Sequence, residues 1–401
     1  MKILVVCQNY FPESFLINEI APMLKSAGHE VTVLTGLPNY GQGKVPKEYR
    51  FGRRRKEVID GVTVKRCFEI GRGNGALTLM LNYASFALSS SLKALFMREK
   101  FDLVLSYQLS PITMVLPAVI YKKRKKIPMF LYCLDLWPAS AGTMVGEGNP
   151  IFKGAAVLSK YLYAQADKIA VTSEPFVDYL QTVCNVPAEK LSYIPQHANG
   201  SLLAKDLTAD ENEKKIFMFA GNLGKAQSLE TVIDAAAFIK ERNDFQIHLV
   251  GDGSELQNLK QKTKDAGLDD KIIFPGRFSP DEMGEQYKKA DVLLLSLAGD
   301  SAVGDTLPGK LQTYMTVGKP ILAAINGAAV KVLEDAKCGK SVHAGDSEGL
   351  AKLMTEYLDD PSAFSACGEN AKAYFSENFT SEVFMSRLNA ELNALAAKEG
   401  T

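Results

Sequence analysis

The segment Ala220-Gly221-Asn222-Leu223-Gly224-Lys225-Ala226-Gln227-Ser228 carries the residue types that meet a phosphate. It follows a strand-like run and precedes a helical one. Gly221 and Gly224 admit close backbone approach, and free N–H groups at a helix start attract an anion. Lys225 adds a point charge suited to a phosphate. The alternative is a plain strand-to-helix turn with a surface lysine, since the spacing is neither G-x-G-x-x-G nor a P-loop. A second glycine turn, Gly251-Asp252-Gly253-Ser254, ends the next strand. It either presses a ligand against backbone or is a tight turn in which Ser254 caps a helix. In a third segment, residues 304–315, Pro308 and Gly309 stand where a helix begins. The amides of Thr306, Leu307 and Gly309 then face an anion, and Asp305 and Thr313 reach ribose hydroxyls; the alternative is a capped surface helix. Asp135, in Asp135-Leu136-Trp137-Pro138, ends a strand of the first half. There a carboxylate either points into a ligand cleft or caps the following helix. The only histidines are His29, His197, His248 and His343. They form no cluster of metal spacing, and no G-x-S-x-G is present, which disfavours metal-dependent and serine-hydrolase chemistry.

Elements that hold these turns follow from the hydrophobic pattern. Strand-length apolar runs over 3–7, 31–35, 62–66, 103–106, 129–134 and 168–172 alternate with helical patterns over 14–27, 77–98 and 157–166. The pattern lapses in a polar hinge near residue 200. It restarts with strands over 215–220, 247–250, 272–275, 292–296 and 321–324, and helices over 228–240, 255–266 and 281–290. Alternation of this kind predicts βαβ units and parallel sheets covered on both faces. The expected fold is α/β with two doubly wound domains, residues 1–200 and 201–380, facing across a cleft. A last helix, 381–401, is expected to pack back across the hinge. Ligands of such sheets bind at the carboxyl ends of the strands.

The 401 residues carry 46 basic and 46 acidic side chains, but residues 1–200 hold 24 basic against 15 acidic. The basic half is the one suited to an anionic surface. Its clusters are Arg50, Arg53, Arg54, Arg55 and Lys56, and Lys122, Lys123, Arg124, Lys125 and Lys126. The second follows an apolar helix over 112–121, an interfacial pattern; the alternative for both clusters is a solvated loop. Aromatic residues are not interleaved as nucleic-acid binding requires. Six cysteines are scattered without C-x-x-C, pointing to a reducing, cytoplasmic compartment. The uncharged stretch 74–92 is too polar to span a bilayer and reads as a core helix.

GNLGKAQ, VGDGSEL, FPGRF, ADVLLLSL and GDTLPGKLQTYMTVGKPI resemble the glycosyltransferases of family 4, which have the GT-B fold of two Rossmann-like domains. NYFPES, LPNYGQGKVPKEYR, LDLWP and YIPQHA look like the bacterial subgroup that builds O-antigen and capsule units, including L-fucosamine transferases. The resemblance implies a retaining transfer from a nucleoside-diphosphate sugar, expected to be of the UDP class, without a bound metal or other cofactor. The acceptor it implies is a glycan or an undecaprenyl-diphosphate-linked sugar, and the basic first half is expected to hold the enzyme on the anionic cytoplasmic membrane surface where a lipid acceptor resides. It places Lys225 and Lys310 on the donor diphosphate with Gly221 and Asn222, and it places Gly251, Gly253, Gly276, Arg277, Leu307 and Gly309 about the nucleotide. The family's E-x7-E falls on Asp305 and Thr313, which depart from glutamate. Asp135 is expected at the sugar, and Glu13, Ser14, Asn39 and Tyr40 at the acceptor. Other readings are a nucleotide-sugar 2-epimerase of the same fold and a non-catalytic two-domain binding protein.

Overall fold

Long apolar runs bounded by turn residues become central strands in the computed structural model, which describes residues 1–73, 75–146, 148–208, 213–299 and 307–397. The chain divides into two units, Met1–Ile194 with Met385–Thr401, and Pro195–Phe384. The first holds β1 (Lys2–Val6), β2 (Glu30–Thr35), β3 (Lys56–Ile59), β4 (Val62–Arg66), β5 (Leu103–Gln108), β6 (Met129–Cys133), β7 (Lys168–Val171) and β8 (Leu191–Tyr193). Their order across the sheet is β3-β4-β2-β1-β5-β6-β7-β8. Every adjacent pair is parallel except β3 and β4. β5 and β6 are buried along their whole length, as strands covered on both faces must be.

The second unit holds β9 (Lys215–Ala220), β10 (Phe245–Val250), β11 (Ile272–Gly276), β12 (Val292–Ser296), β13 (Ile321–Ala324) and β14 (Gly339–Val342). Their order is β11-β10-β9-β12-β13-β14, all parallel. In each unit the chain winds outward on one side of its first strand and then crosses to the other. The crossings leave switch points at β1/β5 and β9/β12, where loops diverge and leave room for a ligand.

The boundary between units falls at Ile194/Pro195 rather than at residue 200, and the chain returns at Met385 rather than 381. On the terminal helix Ser381–Ala397, Glu391 pairs with Lys168 at 3.6 Å and Asn389 Oδ1 meets His29 Nε2 at 3.1 Å.

Two readings of the first unit are corrected. The basic run at 50–56 is not all loop: its end forms β3, joined to β4 through Asp60 (φ 49°) and Gly61 (φ 74°). That pair is the Asp-Gly turn that favours a two-residue hairpin. The stretch 112–121 is not an interfacial helix. A 3-10 turn (Ile112–Val115) leads into a helix (Leu116–Lys125), and Ile112, Met114, Val115, Ala118, Val119 and Tyr121 are all buried. These apolar residues are used against the sheet and a neighbouring helix, which leaves only the half-buried Leu116 and Ile120 and no apolar face for a membrane.

Backbone contacts stitch together the loops that follow β9, β10 and β11. The N–H of Gly221 donates to Val250 O at 2.9 Å, that of Leu223 to Asp252 O at 2.9 Å, and that of Gly251 to Gly276 O at 2.9 Å. Gly251 has φ 140°, and a Cβ there would stand 1.8 Å from Gly221 O. The glycine is therefore required by the neighbouring loop. Gly251→Ala should cost about 3 kcal/mol or more, from overlap and backbone strain. Gly267→Ala, where φ is 66° and the added carbon meets nothing within 4 Å, should cost about 1 kcal/mol. Chemical denaturation of both measures the difference; equal losses would contradict the stitched arrangement.

A buried polar cluster performs the corresponding task in the first unit. Gln8, after β1, donates to Glu69 Oε1 at 2.8 Å and to Asn82 Oδ1 at 3.0 Å; Asn82 donates to Glu69 Oε1 at 2.7 Å. Glu69 Oε2 has no partner. Burial drives the Glu69 carboxyl from 4.5 up to about 8, against the opposing pull of its hydrogen bonds. With the folded value raised, this group's stabilisation is full below the unfolded value and disappears as pH rises through about 8. Between those limits the slope is about 1.4 kcal/mol per pH unit. Glu69→Gln should remove that slope, so the variant gains on the wild type between pH 5 and pH 8 in denaturant titrations. Parallel pH profiles would contradict it.

Candidate functional site

In the second unit the site starts from Gly221, which follows β9 with φ 148°. A Cβ on Gly221 would meet Lys310 Cε at 2.2 Å, so the alkyl chain of Lys310 lies directly across this glycine. Lys310 sits in the first turn of the helix Gly309–Val317. Tyr314, one turn on, holds that helix to the strand: its hydroxyl accepts the Ala220 N–H at 2.8 Å and donates to Ala220 O at 3.3 Å. The Lys310 ammonium stands 5.1 Å from the centroid of the Phe219 ring. Among the described residues it has no carboxylate partner. Burial lowers its pKa. A half-buried cation beside the free N–H groups of a helix start is a place of positive potential, favourable to an anion.

The Lys225 turn differs from expectation. It does not open an α-helix; a 3-10 turn, Lys225–Gln227, comes first, and the helix begins at Glu230. Lys225 is exposed, and Asn222 beside it is exposed as well. Gln227 Oε1 accepts the Gly224 N–H at 3.2 Å. The loop after β12 is tied to this turn, since Ala298 N–H donates to Ala226 O at 3.0 Å and Ser296 Oγ to Ser228 O at 3.0 Å. The β9/β12 switch point is thus lined by the Lys225 turn on one side and by the Lys310 helix on the other.

Next to it opens a pocket of about 490 Å³ whose lining includes Gly221, Asn222, Gly251 and Arg277 from the expected set. Asp252, Phe278, Met283 and Tyr287 also line it; sequence reasoning did not single them out. An aromatic and thioether wall of this kind suits a flat ring. Arg277 is exposed and makes no hydrogen bond or ion pair among the described residues. Gly253 does not line the pocket: a Cβ there would meet Leu223 O at 2.4 Å, so its role lies in loop packing. Ser254 is not the helix cap, which is Glu255. Thr313 turns its hydroxyl onto its own helix, donating to Gly309 O at 3.1 Å, which leaves its lone pairs open. Leu307 is half-buried before the helix. Asp305 and Thr306 lie outside the described residues.

In the first unit, Glu13 and Asn39 are held by other protein groups. Glu13 Oε1 accepts the backbone N–H groups of Asn39, at 2.5 Å, and of Tyr40. Burial raises its pKa. Asn39 is buried and accepts from Arg72 N at 3.0 Å and Asn82 Nδ2 at 3.1 Å. Both side chains therefore shape the loop, while Tyr40 and Ser14 remain exposed. The Arg72 guanidinium lies 5.0 Å from the Tyr40 ring and 5.8 Å from that of Tyr83. Arg72 and Tyr83 had no motif to mark them. Asp135 neither caps the next helix nor stands free. Its Oδ2 accepts Ser110 N–H at 2.8 Å, and the Trp137 indole donates to Ser110 Oγ at 2.9 Å, joining the loops after β5 and β6. The Tyr83 phenol is raised chiefly by burial and also by Tyr40 and Asp135, with Arg72 opposing. Arg72 thus brings the Tyr40 and Tyr83 rings to one place. Among the described residues no group of three His, Cys, Asp or Glu side chains could hold a metal ion.

Comparison with known proteins bears on the family and the fold. Residues 16–197 match the glycosyl transferase 4-like domain and residues 205–374 match glycosyl transferases group 1. The chain is 27% identical over 340 residues to the putative colanic acid biosynthesis glycosyl transferase WcaI of Escherichia coli, covering 79% of this chain and 82% of that protein. It is 25% identical over 401 residues to the N-acetyl-alpha-D-glucosaminyl L-malate synthase of Bacillus anthracis, covering 96% and 95%. Its fold matches that of Anabaena Alr3699/HepE, solved in complex with UDP, with a TM-score of 0.69 at 16% identity over 98% of this chain and all of that one. The chain belongs to the family 4 glycosyltransferases of the GT-B fold and is a hexosyltransferase-type enzyme.

Proposed function

We propose that the enzyme moves a sugar from a UDP-sugar to a glycan or lipid-diphosphate-linked acceptor, with retention at the anomeric carbon, in the assembly of cell-surface polysaccharide. The observation that carries this reading is Lys310, an ammonium without a carboxylate partner among the described residues, laid over Gly221 at the switch point. A diphosphate placed there offsets the desolvation that lowers the lysine's pKa. The pocket walled by Phe278, Met283 and Tyr287 takes the base, and Arg277 stands at its rim.

In the reaction the bond from the anomeric carbon to the diphosphate oxygen breaks, and a bond to the acceptor oxygen forms on the same face of the sugar. The acceptor proton passes to the departing phosphate oxygen, so no histidine base is needed. Negative charge grows on the leaving group. Lys310, Lys225 and the N–H groups of the helix Gly309–Val317 are already in position to meet it, which is what lowers the barrier. The cationic role falls to side chains and amides rather than to a bound metal. Arg72 and Tyr40, on loops held by Glu13 and Asn39, and Tyr83, on the helix Ala76–Phe96, offer an acceptor a cation and aromatic faces.

Two sets of measurements test this. UDP, and neither GDP nor ADP, should raise the melting temperature; at 100 times its dissociation constant a ligand adds about 2.7 kcal/mol. Lys310→Met keeps the alkyl chain over Gly221 and removes the charge. It should lower turnover by about 10²–10³ with the unliganded melting temperature equal to or above that of the wild type, since an unpaired buried charge is removed, and Lys225→Ala should lower turnover as well. Wild-type turnover in Lys310→Met would remove that lysine from the reaction.

A further inference from the structure

The helix α1 (Ala76–Phe96) carries a single charged residue, Lys93, in its 21 residues. One face is spent on the core: Asn82, Phe86, Ser90 and Ala94, four residues apart, are buried. The opposite face should be polar in a helix exposed to water. Instead it presents Leu77, Leu81, Leu88, Leu92, Leu95 and Phe96, all exposed. Their spacing of three, four and seven residues keeps them on one stripe along roughly 31 Å of helix. Leu77 is 71% exposed, Leu88 68% and Phe96 73%, a contiguous apolar surface of the kind that marks an interaction site.

The stripe ends in cations. A pocket of about 480 Å³ at the C-terminal end of the helix is lined by Arg55, Lys56, Lys65, Lys93 and Arg98. Its one carboxylate, Glu99, is paired with Lys65. The second basic cluster arrives at the same place: Arg124 donates to Met97 O at 2.7 Å and Lys125 to Arg98 O at 3.3 Å. Both bonds go to carbonyls, which neutralise no charge. Basic runs some seventy residues apart in sequence thus converge on one end of one apolar helix.

We propose that this face docks on an anionic phospholipid bilayer, with α1 lying in the plane of the interface. The leucine stripe enters the boundary between headgroups and acyl chains, and the cations meet phosphate headgroups. An apolar helix face with a cationic end matches such a surface in both chemistries at once. No helix among the described residues is long and apolar enough to cross a membrane, so the contact is peripheral. The docking deepens the lipid-linked acceptor reading by placing the enzyme where such an acceptor resides, yet its physics is independent of the donor site.

Flotation of the full chain with two vesicle preparations tests it: phosphatidylcholine alone, and phosphatidylcholine with about one-third phosphatidylglycerol. The wild type should bind the anionic vesicles preferentially, and less in high salt. Lys56→Gln with Lys93→Gln should lower binding to the anionic vesicles about 30-fold, at about fivefold per charge. Leu88→Ser with Leu92→Ser should lower it about tenfold or more. All four substituted residues are exposed, and melting curves with and without UDP check that fold and donor site are intact, so failure here is separable from failure of the donor assignment. Binding indifferent to lipid charge, or equal in all three proteins, would overturn the proposal. So would a wild-type dimer that the leucine variant dissociates while vesicle binding is absent, since a second copy of the chain would then own the face.

Discussion

A lysine ammonium drawn out of water and given no acid to pair with is a cost that the rest of the second unit is arranged to maintain. Lys310 lies over Gly221 because only glycine leaves space there. Gly221 is fixed because its neighbour Gly251 packs against its carbonyl. The helix that bears Lys310 is fixed because Tyr314 binds both backbone groups of Ala220. Each constraint narrows where the charge can go, and together they hold it at the point where β9 and β12 part. A charge placed in advance needs no reorganisation when a diphosphate begins to leave, and that is the condition under which electrostatic stabilisation is largest.

The first unit solves a different problem with neutral chemistry. Its loops are held by amides and by the buried carboxyl Glu69, which burial favours in the protonated form. This network fixes the Asn39–Tyr40 segment through Glu13 and Asn39 while leaving Tyr40 and Arg72 available to a ligand. One unit therefore offers unpaired charge suited to an anion, and the other an aromatic and guanidinium surface suited to a sugar or its anionic substituent. The unused apolar face of α1 belongs to neither task.

Much of this was legible in the residues. The strands 215–220, 292–296 and 321–324 lie where the apolar runs place them, because strands buried on both faces leave no other pattern, and 62–66 lies where its alternating pattern places it, one face buried and the other half-buried. Glycine turns at strand ends marked Gly221, Gly251 and Arg277, which share the pocket lining. What failed was the assignment of cause. Gly253 serves neighbouring backbone, and Gly251 does so besides lining the pocket; a single sequence does not distinguish such packing from closeness to a ligand. The apolar run at 112–121 and the uncharged run before Lys93 exchange roles: the first is buried, the second half exposed. Composition cannot decide which of two apolar helices has its second face covered, since that depends on what packs beside it. Strand β3 was hidden because its lysine and glutamate read as a charged loop, although the Asp60-Gly61 turn was present. Arg72 and Tyr83 came from a loop and a helix remote in sequence from the Tyr40 they meet.

The most direct test of the central claim compares UDP with UMP by calorimetry in the wild type and in Lys310→Met. If Lys310 is held for the diphosphate, the wild type favours UDP, and the substitution removes most of that preference, about 1.5–3 kcal/mol for a charged hydrogen bond, while UMP binds nearly as before. If the variant keeps the full preference for UDP, or loses UMP and UDP alike, the charge is there for something else and the account is wrong.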